Sequence, residues 1–332
     1  MTRTLLAALV FLAWLPMPHA QAASPSVADV DPPSWWIGHS TNEIQLLVHG
    51  SGLAGTTLTS GSDALMILRQ RVNDAGTYLI AYARVERGRQ PQSVPLRIAG
   101  PGGAADTHFE LLAKPDPAGR FAGLSADDVI YLVMPDRFDD GDHLNNGPNY
   151  DRSSPGAYHG GDLRGLKDRL PYLKQLGVTT VWMTPIYDNT DTGSDYHGYG
   201  ATDFYRVEEH LGTMADLRAL VAEAHRLGMK VMQDQVANHC GPAHPWAADA
   251  PTPTWFNGTP AEHLDNPFAI DSLVNPNADP SVRRATLEGW FANKLPDLNQ
   301  TDPEVARYLI QNSLWWVEQA GFDAIREDTL PY

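Results

Sequence analysis

Cysteine is almost absent. Cys240 is the only one in 332 residues, so no internal disulfide can form and stability must come from packed cores, with bound metal as the remaining aid. Positive charge is scarce as well: 24 Lys plus Arg stand against 40 Asp plus Glu, a net charge of −16. That balance argues against nucleic acid and anionic membranes as partners, since both require a cationic face. It fits a soluble protein acting on something neutral. Long apolar runs are missing too: Leu5 to Leu15 is only eleven residues. As a helix it would rise about 16 Å, roughly half a bilayer core, which argues against a spanning anchor. No tract is of low complexity, and no segment repeats at a solenoid period.

What that short run does fit is a processing signal. Arg3 supplies a positive start, the apolar stretch follows, and Ala20-Gln21-Ala22 offers the small-x-small pattern of a cleavage site. Residues 1–22 therefore read as a signal peptide, and the expected destination is periplasmic or extracellular. Loss of Arg3 would leave 23 basic residues against 40 acidic ones, a net charge of −17.

From residue 24 to about 114 the pattern is short and β-like. Ile44, Leu46 and Val48 alternate with Gln45 and His49, and Tyr78, Ile80 and Tyr82 repeat the pattern after the turn at Asn73-Asp74-Ala75-Gly76. Val94, Leu96 and Ile98 give a third run. Strands at this spacing, punctuated by Gly and Pro, predict a small Ig-like β-sandwich. Lys114-Pro115-Asp116-Pro117-Ala118-Gly119 reads as a linker.

Beyond it, over residues 126–332, strand and helix patterns alternate. Val129 to Met134 is a continuous apolar run, expected of a strand buried on both faces. Leu163, Leu166, Leu170, Leu173 and Leu176 follow at helical spacing, ending at Gly177. Thr179 to Thr184 is the second strand. Thr213 caps a helix carrying Leu217, Leu220, Val221, Ala224 and Leu227, closed by Gly228, and Lys230 to Val236 is the third strand. Asp302 and Pro303 open a helix running to Gly321, and Ile325 to Asp328 lies in the fourth strand. The expected architecture is α/β, the first half of a TIM (β/α)8 barrel. Residues of about 238–301 form a Pro- and Asn-rich insertion after its third strand.

Polar residues gather where these strands end, which is where barrel enzymes place their sites. Asp234 and Asn238-His239 come from the third strand, Arg326 and Asp328 from the fourth. Side chains alternate with period 2, so Arg326 and Asp328 share a face and Glu327 points away. An Arg beside an Asp favours the charged carboxylate and fixes its direction, as a carboxylate nucleophile requires. The same pairing also serves structural ion pairs. A second cluster, Asp136 to Asn146, packs acids and amides around Gly141 and would suit calcium; its spacing is not that of an EF-hand, and a solvated acidic turn is the plain alternative.

Asp234-x-x-x-Asn238-His239, Gly321-Phe322-x-x-x-Arg326-x-Asp328, His197-Gly198-Tyr199, Leu295-Pro296-Asp297-Leu298-Asn299 and Gly160-Gly161-Asp162-Leu163 together resemble the alpha-amylase family of glycoside hydrolases. Pro32-Pro33-Ser34-Trp35-Trp36 and Leu46-Leu47-Val48-His49-Gly50 look like the N-terminal domain of its cyclomaltodextrinase and neopullulanase-type members. The resemblance implies a retaining hydrolase of α-1,4-glucosidic bonds in maltodextrins, starch or cyclodextrins. Asp328 would be its nucleophile and Arg326 the group that orients it. Tyr199 would stack on the sugar, His239 would hydrogen-bond it, His197 would line the same subsite, and Asp234 would brace Arg326. It further implies calcium held by Asp140, Asp142, Asn145, Asn146, Asp162 and the Gly160 carbonyl, and a homodimer through the N-terminal domain. A second calcium position matches Asn238 and Asp297, although members with this N-terminal domain often lack it.

The sequence departs from the family after Asp328. Many members have a Lys-His pair where Thr329-Leu330-Pro331-Tyr332 stands here. The family's acid/base Glu lies on a fifth strand, so a chain of four strands is expected to lack the general acid. A transglycosylase of the same family shares every motif, and a non-catalytic α-glucan-binding protein is the reading from another class.

Overall fold

A computed structural model describes residues 23–189 and 195–332; the signal-peptide reading falls on residues outside them. The first region contains β1 (Ser26–Asp31), β2 (Ser34–Trp36), β3 (Glu43–Ser51), β4 (Thr57–Ser60), β5 (Leu65–Val72), β6 (Tyr78–Val85), β7 (Gln92–Gly100) and β8 (Gly103–Leu112). They form two four-stranded sheets, β1-β3-β6-β5 and β2-β8-β7-β4. The three alternating runs of the sequence fall in β3, β6 and β7. Asn73 makes the predicted turn between β5 and β6, its side-chain oxygen accepting from the backbone of Thr77 (2.9 Å) and Tyr78 (3.0 Å). In β7 the alternation holds: Val94, Leu96 and Ile98 are buried between exposed neighbours.

The central strand β3 departs from it. Gln45 and Leu47, expected on the wet face, are buried along with Ile44, Leu46 and Val48. The reason is a second layer: α6 (Pro303–Ala320) lies against this face. β1 pairs with β3 only as far as Leu47. At Gln45 the side-chain amide of Gln311 stands in for the missing strand, accepting from Gln45 N–H (2.6 Å) and donating to its carbonyl (2.9 Å). Glu304 accepts from Gln45 Nε2 (2.9 Å) and from the Tyr82 hydroxyl. Trp315 Nε1 and Tyr308 OH donate to Ser34 Oγ (3.1 Å) and Asp31 (3.0 Å). An amide can do this because its donor and acceptor mimic a peptide group.

The second region runs β9 (Ile130–Val133), α1 (Leu163–Gln175), β10 (Thr180–Met183), β11 (Tyr187–Asn189), β12 (Ala201–Val207), α2 (Met214–Arg226), β13 (Lys230–Gln235), then α3 (Pro245–Ala248), α4 (Asp271–Val274) and α5 (Pro280–Glu288), and after α6 ends in β14 (Ala324–Glu327). The order β14-β13-β10-β9, parallel throughout, is the sheet of a TIM barrel, with four of its strands among the described residues. The predicted punctuation does its work: Thr213 caps α2, Asp302 caps α6 with Pro303 behind it, and Gly321 closes α6 at φ +85°. The structure adds Asp162 as the cap of α1 and Asp216 as the second half of a capping box on α2. Leu163, Leu166, Leu170 and Leu173 are fully buried. Among the described residues no helix is long and apolar enough to cross a membrane.

The Val129–Met134 run corrects the sequence reading. It does form a strand, but Val129, Ile130 and Leu132 are 45–54 % exposed, because β9 borders the sheet and only its Val133 is covered. The short antiparallel pair β11–β12 was not legible beforehand. Within the expected insertion at 238–301 lie the three short helices α3–α5.

Candidate active site

β13 and β14 pair in register with Asp234 opposite Arg326, and the ladder continues one step further as Asp328 N–H donates to the Gln235 carbonyl (2.8 Å). Asp328 thus sits just past the strand end. One Arg326 nitrogen donates to Asp234 Oδ1 (2.8 Å) and to Asp328 Oδ1 (2.7 Å), while Thr329 Oγ1 donates to Asp328 Oδ2 (3.0 Å). Both carboxylate oxygens are therefore directed. The Asp328 side chain keeps 13 % of its surface open to solvent, whereas that of Asp234 keeps none. Glu327 points away, as parity predicts, and accepts from the Ala237 backbone; burial pushes it up to about 7.

Asp234 is a hub. Its second oxygen accepts from Trp182 Nε1 (2.8 Å) and from the Tyr199 hydroxyl (2.9 Å). Burial raises its pKa against the opposing pull of Arg326, Trp182 and Tyr199. Arg326 also lies over the Trp182 ring, 5.0 Å from its centroid. Sequence reasoning missed Trp182. The signal was available: on β10 it alternates with the buried Val181 and Met183, which assigns it to the barrel's inner face.

Tyr199 is aimed by both ends. Its hydroxyl rests on Asp234, and its backbone N–H donates to His197 Nδ1 (3.0 Å). Gly198 permits this turn: its φ is +83°, and a Cβ would lie 2.0 Å from the Pro185 carbonyl. Burial lowers the His197 pKa, favouring neutral imidazole, despite nearby Asp195.

His239 is 1 % exposed and stacks on Phe291, with Nε2 facing the Tyr199 carbonyl (3.2 Å) and Nδ1 facing Asn238 Nδ2 (3.2 Å). A carbonyl only accepts, so Nε2 carries the proton and Nδ1 receives. Burial pushes its pKa down to about 4. The ring thereby supports the Tyr199 backbone.

The six candidate calcium ligands divide. Asp162 accepts from Gly141, Asp142 and Gly165 backbone N–H groups (3.1, 2.7 and 2.6 Å) and so serves as loop anchor and helix cap. Asp142 is paired with Arg164 (2.8 Å). Asn145 Oδ1 and Asn146 Oδ1, by contrast, are buried and receive no hydrogen bond. Asn146 lies tight against Gly160, where a Cβ would come within 2.7 Å of its oxygen. Asp140 shares the site, contacted by His143 (2.7 Å), Asn146 Nδ2 (3.0 Å) and Arg152 (3.2 Å). Among the described residues no three His, Cys, Asp or Glu side chains converge as metal ligands. The orphan amide oxygens of Asn145 and Asn146, with Asp140 hydrogen-bonded to Asn146, are donors of the kind a hard cation takes.

With this geometry in view, comparison with known proteins is direct. The family model described as alpha amylase, catalytic domain, matches residues 132–332, and the one described as cyclomaltodextrinase, N-terminal, matches 29–115. The chain belongs to the alpha-amylase family. It is 36 % identical over 227 residues to a cyclomaltodextrin glucanotransferase of Klebsiella oxytoca, covering 62 % of this chain and 33 % of that one. A cyclomaltodextrinase of Thermoanaerobacter pseudethanolicus is 30 % identical over 208 residues, covering 61 % and 34 %. Among solved structures, an Anoxybacillus alpha-amylase matches with a TM-score of 0.54 and 40 % identity, covering 62 % of this chain and 41 % of that one. The chain thus spans about a third of the length of these two curated relatives.

Proposed function

We propose that this chain carries the nucleophile of a retaining glycoside hydrolase that cleaves α-1,4-glucosidic bonds in maltodextrins, starch or cyclodextrins. The observation that supports this most is the single Arg326 nitrogen bridging Asp234 and Asp328 at the strand ends. In this reading an Asp328 oxygen attacks the anomeric carbon and forms a β-glycosyl ester. The glycosidic bond breaks, its electron pair going to the leaving oxygen, which takes a proton from a second carboxyl about 5 Å away. Neither Asp234, locked to Arg326, nor Glu327, turned aside, is assigned that second role. Arg326 holds the nucleophile in line, Asp234 and Trp182 hold Arg326, and Tyr199 offers its ring to the pyranose C–H face. His197, receiving at Nδ1, presents Nε2–H to a hydroxyl.

An activated 5-fluoro-α-glucosyl fluoride tests the nucleophile alone, because fluoride departs without protonation. The expected result is a mass increase on the peptide containing Asp328 that disappears in Asp328→Asn. Label on another carboxylate, or none, overturns the assignment.

Calcium is proposed at Asp140, Asn145, Asn146 and the Gly160 carbonyl, where it would cross-link the loop after β9; the orphan amide oxygens support this. Millimolar calcium should raise the thermal midpoint of the wild type and leave Asn145→Ala/Asn146→Ala unmoved. An equal rise in both removes the site. Export rests on the leader pattern of residues 1–22, and self-association through the sandwich rests on family resemblance.

A further inference from the structure

The sandwich and the barrel region do not close flush against each other. Two cavities lie along their seam, one of about 300 Å³ beside β1, β8 and β12, the other of about 100 Å³ beside β1, β3, β6, β12 and α6. Asp29, Asp31 and Asp203 line both. Asp29 and Asp31 stand two residues apart on β1, and so on one face of the sandwich strand. Asp203 comes from β12 on the barrel side. Three carboxyls therefore gather where the cavities adjoin, and the two half-buried ones, Asp31 and Asp203, belong to different regions.

Little positive charge answers them. Among the described residues Arg206 is the one Lys or Arg lining either cavity. It is exposed and divided, with Nε 3.5 Å from Asp203 and a terminal nitrogen 3.9 Å from Asp188. Asp203 also accepts the Tyr205 N–H (2.8 Å), and Asp31 accepts the Tyr308 hydroxyl of α6 across the seam (3.0 Å). From the sandwich, His49 of β3 stands 3.9 Å from Asp29 and stacks on Tyr78 of β6, while His108 of β8 lines the larger cavity. From the insertion, His244 is kept neutral, burial pushing it down to about 3, and Asp249 adds a negative charge near Tyr78. In this setting both Asp31 and Asp203 lie above the ordinary carboxyl range. Burial is the main cause for each, and the charge of Asp203 comes next for Asp31.

We propose that Asp31 and Asp203 form a pH-sensitive latch between the sandwich and the barrel: a proton on the pair keeps the seam closed, and two charged carboxylates push it open. A carboxyl raised in the folded chain contributes stability below its ordinary pKa and loses it as pH rises through the raised value. The seam is therefore tightest in acid and loosens as the pH rises. The candidate site adjoins it, since β12 follows directly on Tyr199-Gly200 and α3 lies in the segment after His239.

Hydrogen–deuterium exchange of the whole chain tests the latch, after correction for the intrinsic pH dependence of exchange. Between about pH 5 and about pH 8, protection of peptides covering β1 and β12 should fall about tenfold, while β7, which lines neither cavity, keeps its own. Asp31→Asn and Asp203→Asn, each able to keep the neighbouring hydrogen bond, should stay protected at both pH values. The double variant His49→Gln/His108→Gln should respond as the wild type does. An unchanged wild type, or an equal fall in β7, overturns the latch. So does a fall that survives in Asp203→Asn, or one that disappears with the two histidines.

Discussion

In the sandwich the central strands β3 and β6 have a layer on each face, one from the opposite sheet and one from α6, and their side chains are almost wholly buried. In the parallel sheet β9 is as apolar as β3, yet Ile130, Tyr131 and Leu132 are 39–49 % exposed. Similar side chains, in similar strands, contribute very different amounts of stability, because apolar area counts only when something removes it from water, at about 25 cal/mol per Å². The difference lies in what faces the strand.

The sharpest way to break this comparison is to truncate one residue in each region. Trp35→Ala, at a fully buried position, should cost about 4 kcal/mol in urea unfolding, whereas Leu132→Ala should cost less than about 1 kcal/mol. Equal losses would show that the exposed strand is packed in solution by contacts absent from this structure. Gln311→Ala comes next. Removing the amide that completes β3 orphans the Gln45 N–H and carbonyl and should cost about 2 kcal/mol. It should also split unfolding into two transitions, read by near- and far-ultraviolet circular dichroism, if the α6 layer couples the regions. A single unshifted transition would make the interface incidental.

The smallest effect is a pH dependence confined to the barrel. Glu327 is raised by burial from 4.5 to about 7, so the folded chain keeps a proton there that the unfolded chain has lost. Its contribution is present below pH 4.5 and falls away as pH rises to 7. Buried Asp297, also raised to about 7, acts in the same sense. His239, lowered from 6.5 to about 4, acts in the opposite one, its contribution being lost as pH falls through that window. The informative quantity is therefore a difference: Glu327→Gln should gain about 1 kcal/mol over wild type at pH 8 and nothing at pH 4. A gain independent of pH would contradict a buried, proton-holding carboxyl.

Much of the candidate site was legible because it follows from period 2. Arg326 and Asp328 had to share a face, Glu327 had to oppose them, and Asp234 came from the neighbouring strand. Trp182 was overlooked although period 2 sets it opposite Val181 and Met183; that its N–H meets Asp234 is decided by the fold. Asp162 shows what spacing leaves out: the sequence offers it as a cation ligand, and the structure adds that it anchors three backbone N–H groups. Gln45 broke the alternation of β3 because its burial depends on a helix more than 250 residues away in the chain.

The sequence by itself determined the local elements: strand and helix periods, the caps at Thr213 and Asp302, the closing Gly321, and the shared face of Arg326 and Asp328. These depend on a few neighbouring residues and on backbone geometry. Only the tertiary structure decided which apolar strand is covered, which carboxylates remain free to bind anything, and that Asp31 and Asp203 line the same cavities. Burial and hydrogen-bond occupancy are properties of what approaches from elsewhere in the chain, and no local pattern encodes them.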